Sequence, residues 1–457
     1  MILNPMSPPF IDSLATISVP DSAVNIIENT KDYRKKLLEL IQTSKKRIYL
    51  TALYLQDDEA GREILTALYE AKQKKPKLEI KIFVDFLRAQ RGLMGHAKSE
   101  GNVRLYRELN KKYKHAVEIY GVPVKSKEFL GVLHLKGFVF DDQLLYSGSS
   151  INNVYLHQSE RYRYDRYHLI DSKELSDSFV RFLENNFVKS DAVSSLNQDS
   201  IPSAKMLKNA IRKLKLSLRR SSYFIRPIEV ESESSVDTTK ESIKVTPLLG
   251  FGGRSNKLNQ TIYHLIKQTE KEIVIFTPYF NFPAKVSKAV RKLLKQNKKV
   301  VIVVGDKTAN DFYIPESEPF NKIGILPYIY ETSLRRFVKA HQTFIDQDLL
   351  DVCLWLDPGN SFHLKGINSD QKNYLITGHN INPRAWRLDI ENGVLIQDSN
   401  QLLKSKFDSE LAQIMKNCSR VKHFDELDTP DDYREDARNL LKTVKRAKLD
   451  SILNRLL

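Results

Sequence analysis

The chain is poor in the residues that staple or metallate a small domain. It has two cysteines, Cys353 and Cys418, with no C-x-x-C spacing, which excludes a disulfide scaffold and a cysteine zinc site and fits a reducing cytoplasm. No run approaches the ~18 apolar residues that a membrane-spanning helix needs. The opening segment, MILNPMSPPFIDSLATISVP, lacks the basic leader and continuous apolar core of a secretory signal. No His pair has the H-E-x-x-H spacing, and no Gly-Lys-Ser/Thr follows Gly250-Phe251-Gly252-Gly253, which reads as an ordinary turn. Acid is scarce: 56 Asp+Glu stand against 72 Lys+Arg, a net charge of +16. That excess implies an anionic partner, either nucleic acid, an acidic membrane surface or a phosphorylated substrate. What is present suits a folded chain, since 457 residues with 41% hydrophobic content supply cores for two or more domains.

The chain repeats itself. Residues 34–55, RKKLLELIQTSKKRIYLTALYL, and 259–280, NQTIYHLIKQTEKEIVIFTPYF, each read as an amphipathic helix, a turn, and an apolar strand ending near a tyrosine, Tyr54 or Tyr279. A second helix (61–75 and 283–296) and a second apolar run follow, ending in Asp85 and Asp306. Strands alternating with helices predict βαβ units and a largely parallel sheet.

Each copy then carries the same polar constellation. The first is His134-Leu-Lys136-(x4)-Asp141 followed by Gly148-Ser149-Ser-Ile-Asn152; the second is His363-Leu-Lys365-(x4)-Asp370 followed by Gly378-His379-Asn-Ile-Asn382. One accidental match among ten histidines is improbable, and two in register are not chance. On a strand, residues i and i+2 share a face, so each His projects with its Lys. Two such strands across a pseudo-twofold axis place two imidazoles and two ammonium groups around one cavity. The lysines and asparagines suit phosphate oxygens; one imidazole can attack phosphorus while the other serves the leaving oxygen. Downstream, YRYDRYHLI (162–170) and RLDIENGVLI (387–396) align Asp165 with Glu391, each a carboxylate to orient an imidazole. By strand parity Arg161 and Arg163 accompany Asp165, and Arg387 accompanies Glu391, as candidates for a pyrophosphate-type anion site. Surface alternation of Tyr and Arg explains these arginines equally well.

The doubled H-x-K-x4-D with G-S-x-x-N resembles the phospholipase D superfamily. VLHLKGF, YLHQSERYRYDRYHLI, TPYFN, VGDKTANDFYIPE and INPRAWRLDIEN resemble, within it, the Gram-negative phosphatidylserine synthases (CDP-diacylglycerol–serine O-phosphatidyltransferases), over nearly the whole chain from about residue 30. The metal-dependent integral-membrane phosphatidyltransferases have a D-G…A-R…G…D…D pattern that is absent here. The resemblance implies a ping-pong transfer from CDP-diacylglycerol to L-serine with no metal or cofactor. It implies His134 as nucleophile, His363 as general acid and then base, and Lys136, Lys365, Asn152 and Asn382 on the phosphate. Asp141 and Asp370 are expected to brace hairpins. His379 replaces Ser149 in the second copy, a departure from the pattern.

The expected fold is α/β: two tandem phospholipase D-like repeats, each a mixed, mostly parallel sheet flanked by helices, sharing one active site at a pseudo-twofold interface. The expected divisions are an extension (1–28), repeat 1 (29–190), a basic helix and mobile linker (191–245), repeat 2 (246–425) and a basic amphipathic tail (426–457). The stripe Leu207, Ile211, Leu214, Leu218 in 205–220, and Leu441, Val444, Ile452, Leu456 in 438–457, suit either an anionic bilayer or packing on the domain. The expected place of work is the inner face of the cytoplasmic membrane, as a peripheral protein, with incidental nucleic-acid or ribosome binding compatible with the charge. Competing readings are another superfamily enzyme (phospholipase D, cardiolipin synthase-like or nuclease) and a non-catalytic polyanion binder.

Overall fold

The structure, a computed structural model, describes residues 9–91, 101–125, 127–225 and 242–446. The Ser/Glu-rich linker over 226–241 and the end of the tail, 447–457, lie outside the described residues. The apolar runs form the centres of two sheets. In the first, Arg47–Thr51, Glu79–Asp85 and Glu118–Val122 run parallel. In the second, Glu272–Thr277, Lys299–Gly305 and Leu350–Trp355 do the same. Helices Glu59–Lys74 and Ala284–Leu294 make equivalent crossovers, as parallel pairing requires.

The rest of each sheet is antiparallel, a larger share than helix–strand alternation suggests. Directly after each H-x-K the chain enters a hairpin, Phe138–Phe140 with Gln143–Ser147 and Gly366–Ser369 with Asn373–Thr377. These hairpins pair antiparallel with the first parallel strand, and further antiparallel strands extend the sheets to eight and nine members. The N-terminal residues are built into both sheets. Ile17–Val19 pairs with Ile243–Phe251, and Val24–Ile27 pairs with Tyr167–Asp171, so this segment supplies an edge strand to each sheet and ties the repeats together.

Both amphipathic segments pack on protein where they are described. Ile211, Leu214 and Leu218 of helix Lys208–Leu218 are buried in a core that also holds Tyr146 from repeat 1 and Tyr374 and Ile376 from repeat 2. Their apolar stripe is thereby unavailable to a bilayer. Helix Glu435–Arg446 buries Ala437 and Leu441 against Ile325, Tyr328 and Ile329. No helix among the described residues is long and apolar enough to cross a membrane.

Candidate active site

The two H-x-K segments are not regular strand throughout. Gly137 and Gly366 follow the lysines with φ of 109° and 141°, a conformation open to glycine, and the hairpins begin only there. Upstream, each segment leaves its own repeat and pairs, in parallel, with the carboxylate-bearing strand of the other. The His134 N–H donates to the Ile390 carbonyl at 3.0 Å and the Ile390 N–H to the Val132 carbonyl at 3.1 Å. Symmetrically, the His363 N–H donates to Tyr164 at 2.8 Å and the Ser361 N–H to Tyr162 at 3.1 Å. This exchange decides which carboxylate meets which imidazole. Glu391 of repeat 2 lies 2.9 Å from His134 Nδ1, and Asp165 of repeat 1 lies 2.9 Å from His363 Nδ1. Each imidazole is therefore oriented by the opposite repeat.

The lysines interleave in the same way. The Lys136 backbone is clamped by the Asn392 side chain through two bonds of 2.8 Å. Lys365 Nζ lies 3.4 Å from Asp165 and also contacts His363 Nδ1. Close approach explains the paired glycines. A Cβ on Gly148 would lie 2.7 Å from an Asp165 oxygen, and one on Gly378 would lie 2.8 Å from Lys136 Cγ.

Burial and like charge set the protonation states. Burial, reinforced by Lys365, pushes Lys136 down to about 7; burial brings Lys365 to about 8 against the pull of Asp165 and Asp311. Burial and Lys365 hold His363 at about 4. Burial and the two lysines keep His134 well below the usual imidazole range. The carboxylates diverge. Burial, with Asp389 close by, raises Glu391 well above the usual carboxylate range. Burial opposes ionisation of Asp165 too, but Lys365 and the His363 hydrogen bond hold it below that range.

The remaining motif residues hold the loops. Asp141 accepts from the N–H groups of Lys45, Lys46 and Arg47 at 2.8, 2.7 and 3.0 Å, and Asp370 from Glu270, Lys271 and Glu272 at 2.8, 2.7 and 3.1 Å. Both sit at hairpin turns with positive φ and brace them. Asn152 accepts from the Tyr155 N–H and donates to the Tyr54 hydroxyl, while Asn382 caps helix Pro383–Arg387 through Ala385 N–H. His379 is fully buried, bonded to Asn259 and the Ile381 N–H, and serves packing.

The three arginines part company. Arg163 enters the site, but its Nε lies 2.9 Å from Asp311, so it is not a bare anion site. Arg161 is exposed. Arg387 is exposed on helix Pro383–Arg387, outside the strand that starts at Ile390, so strand parity does not govern it. Arg384 turns inward instead, 3.0 Å from Asp389 and reaching the Glu128 carbonyl of repeat 1.

Several site residues were not singled out from sequence. The Tyr155 hydroxyl meets His363 Nε2 at 3.1 Å, Asp311 Oδ2 lies 3.9 Å from that nitrogen, and Tyr279 donates to Asp311 at 2.7 Å. Arg88 stacks over the Tyr54 ring at 4.6 Å and forms no ion pair among the described residues. Asp311 lies in VGDKTANDFYIPE and Tyr279 in TPYFN, so their segments were visible although their roles were not. Among the described residues no group of three or more His, Cys, Asp or Glu is placed to hold a metal ion.

Two α/β repeats that exchange H-x-K segments around one polar site define a phospholipase D-like enzyme. Consistent with this, the family model for the cardiolipin synthase, PLD-like domain matches residues 37–186 and 262–415. The chain is 44% identical over 445 residues to the CDP-diacylglycerol–serine O-phosphatidyltransferase of Escherichia coli K12, covering 97% of this chain and 96% of that one. It is 42% identical to the enzyme of the same name from Haemophilus influenzae, covering 98% and 97%. The crystal structure of phosphatidylserine synthase from Haemophilus influenzae Rd KW20 superposes with a TM-score of 0.91, covering 98% of each chain at 42% identity. The chain belongs to the bacterial phosphatidylserine synthases of the phospholipase D superfamily.

Proposed function

We propose that the chain transfers the phosphatidyl group of CDP-diacylglycerol to the hydroxyl of L-serine, releasing CMP, through a phosphatidyl-histidine and without a metal. The observation that carries this reading is the pair of imidazoles, each held at Nδ1 by a carboxylate of the opposite repeat, with the charges of Lys136 and Lys365 close to His134 and Lys365 in contact with His363. The relatives' names supply the substrates.

In the first step His134 Nε2 forms a bond to the lipid-side phosphorus, and the P–O bond to CMP breaks. His363 donates its Nε2 proton to that oxygen. Burial and the Lys365 charge hold His363 at about 4 in the empty site; an anionic pyrophosphate beside Lys136 and Lys365 offsets the charge and favours the imidazolium, which raises His363 toward the range of a general acid. In the second step His363 takes the serine hydroxyl proton, the new P–O bond forms and the P–N bond breaks. The lysines and the Asn152 and Asn382 amides stabilise charge on the phosphoryl oxygens.

In this reading the enzyme meets its lipid as a peripheral protein at the cytoplasmic face of the membrane. Phe129 and Leu130 are 56% and 37% exposed, between Lys125 and Lys127 on one side and His134 on the other. An exposed apolar tip with Lys125 and Lys127 beside it in the chain suits an anionic bilayer. Phe129→Ser should weaken sedimentation with anionic vesicles while turnover in detergent micelles persists; equal vesicle binding would remove this loop from the interface.

The reaction itself is tested by CMP release from CDP-diacylglycerol in micelles, with and without serine, in EDTA. Serine-dependent release unaffected by EDTA supports the proposal. Release to water alone would make the protein a hydrolase, and loss in EDTA would refute metal independence.

A further inference from the structure

The site carries one ion pair with bonding capacity that phosphoryl transfer leaves unused. Arg163 and Asp311 face each other beside His363, their side chains 14% and 9% exposed. Arg163 spends its Nε on Ser361 Oγ at 3.2 Å, and its guanidinium lies over the Tyr155 ring at 4.6 Å. Its two Nη groups donate to no described residue. Asp311 is half satisfied. Oδ2 accepts from Tyr279, while Oδ1, though 2.9 Å from Arg163 Nε, is buried without an aligned hydrogen bond. A free donor fork and a carboxylate oxygen short of a donor therefore stand together, and Asp311 Oδ2 is 3.9 Å from His363 Nε2.

Resting on the proposed transferase reading, we infer that Arg163 and Asp311 form the cradle for the acceptor's zwitterion, Arg163 binding the α-carboxylate of L-serine and Asp311 its α-ammonium. A guanidinium fork matches a carboxylate in two parallel bonds, and an ammonium supplies the donor that Oδ1 lacks. Insertion between the two charges exchanges one ion pair for two, so the buried charges stay neutralised whether the site is empty or filled. The placement also suits the chemistry, because the acceptor hydroxyl, one carbon from the α-carbon, must reach the imidazole that removes its proton.

The cradle exists in one half of the site only. Counting back two residues from Asp165 gives Arg163, whereas two residues before Glu391 stands Asp389. Five residues beyond Asp306 stands Asp311, whereas five beyond Asp85 stands Gln90. A single amino-acid acceptor needs a single cradle, on the side of the general base.

The test compares acceptors that lack one charge or both. Wild-type protein, Asp311→Asn and Arg163→Gln are assayed in CDP-diacylglycerol micelles with L-serine, 3-hydroxypropanoate, ethanolamine and glycerol. Exchange of labelled CMP into CDP-diacylglycerol reports the first half-reaction and the integrity of the fold. Asp311→Asn should raise the serine KM by about 10-fold or more and bring serine down toward 3-hydroxypropanoate. Arg163→Gln should bring serine down toward ethanolamine, and in both variants the serine-to-glycerol ratio should fall by a larger factor than CMP exchange. Acceptor ratios that stay at wild-type values while all rates drop together would overturn the cradle. Wild-type protein that releases no CMP in any condition would overturn the transferase reading beneath it, a different result.

Discussion

The half-site around His134 and the half-site around His363 share one backbone plan and carry different charge. Each imidazole follows a parallel bridge to the opposite repeat, precedes a glycine of positive φ, and donates toward a carboxylate that the opposite repeat supplies. Beyond that frame the neighbours diverge. Behind His134 stand Glu391, pushed up by burial and Asp389, and the Asp389–Arg384 pair. Around His363 stand an ionised Asp165, Asp311, Arg163 and two tyrosines. Duplication fixed the geometry of a two-histidine site; substitution around one copy divided the labour. A neutral imidazole backed by a carboxyl with little charge suits a nucleophile. An imidazole flanked by two carboxylates, whose charge stabilises the imidazolium, suits proton transfer.

The largest effect expected from this comparison is on the histidines themselves. His134→Ala and His363→Ala should each lower kcat by about 10⁴-fold or more, yet fail at different stages. Rapid acid quenching with lipid-labelled CDP-diacylglycerol should show a covalent phosphatidyl-enzyme in His363→Ala and none in His134→Ala. The opposite pattern would exchange the two roles and leave the frame intact.

The next effect distinguishes the carboxylates. Asp165 is charged in the folded site and Glu391 is driven toward its neutral form. Asp165→Asn therefore removes a charge that the imidazolium uses and should cost about 10²-fold in kcat, whereas Glu391→Gln keeps most of the wild-type character and should cost about 10-fold. Equal losses in steady-state assays, with circular dichroism unchanged in both variants, would mean that the two supports are electrostatically equivalent and the division of labour lies elsewhere.

How much of this was legible in the sequence follows from what repeats. The doubled H-x-K-x4-D, the aligned Asp165 and Glu391 and the helix–strand order are local signals, and they specified two α/β units sharing a site. The crossing of partners was not legible, because which strand lies beside His134 is settled by inter-repeat pairing and not by local spacing. Of the three arginines that parity grouped with the carboxylates, Arg163 lies on a strand and faces the site, Arg161 precedes that strand and is exposed, and Arg387 is carried away because Pro383 and the Asn382 cap start a helix there. Asp311 escaped notice because it has no counterpart in repeat 1, so a search for matched residues passes over it. The apolar stripe of 205–220 looked ready for a bilayer since sequence shows a helix face but not what covers it; the inter-repeat core covers it.

The smallest effect separates the two lysines and is read from pH. Lys136 lies at about 7 and Lys365 at about 8 in the empty site, both lowered by burial, and Lys365 is the better supported because Asp165 and Asp311 favour its charge. A lysine with a lowered pKa is charged below that value and loses its proton as pH rises through it. The anion-binding charge should therefore be complete near pH 6, lost first from Lys136 and then from Lys365. The His134 range lies too low for its protonation to intervene there. Hence kcat/KM should decline in two overlapping steps between about pH 7 and 8, reporting the free enzyme, while kcat stays flatter because bound phosphates restore both charges. The same coupling predicts proton uptake on binding: titration calorimetry with CDP in buffers of different ionisation enthalpy should give more uptake at pH 8, where both lysines regain charge, than at pH 6, where the lysines are already charged and the raised His363 is the group that gains a proton. Pre-charged lysines would instead give no more uptake at pH 8 than at pH 6 and no decline of kcat/KM between about pH 7 and 8, and the cross-repeat burial of the two ammonium groups would then have no electrostatic consequence for the empty site.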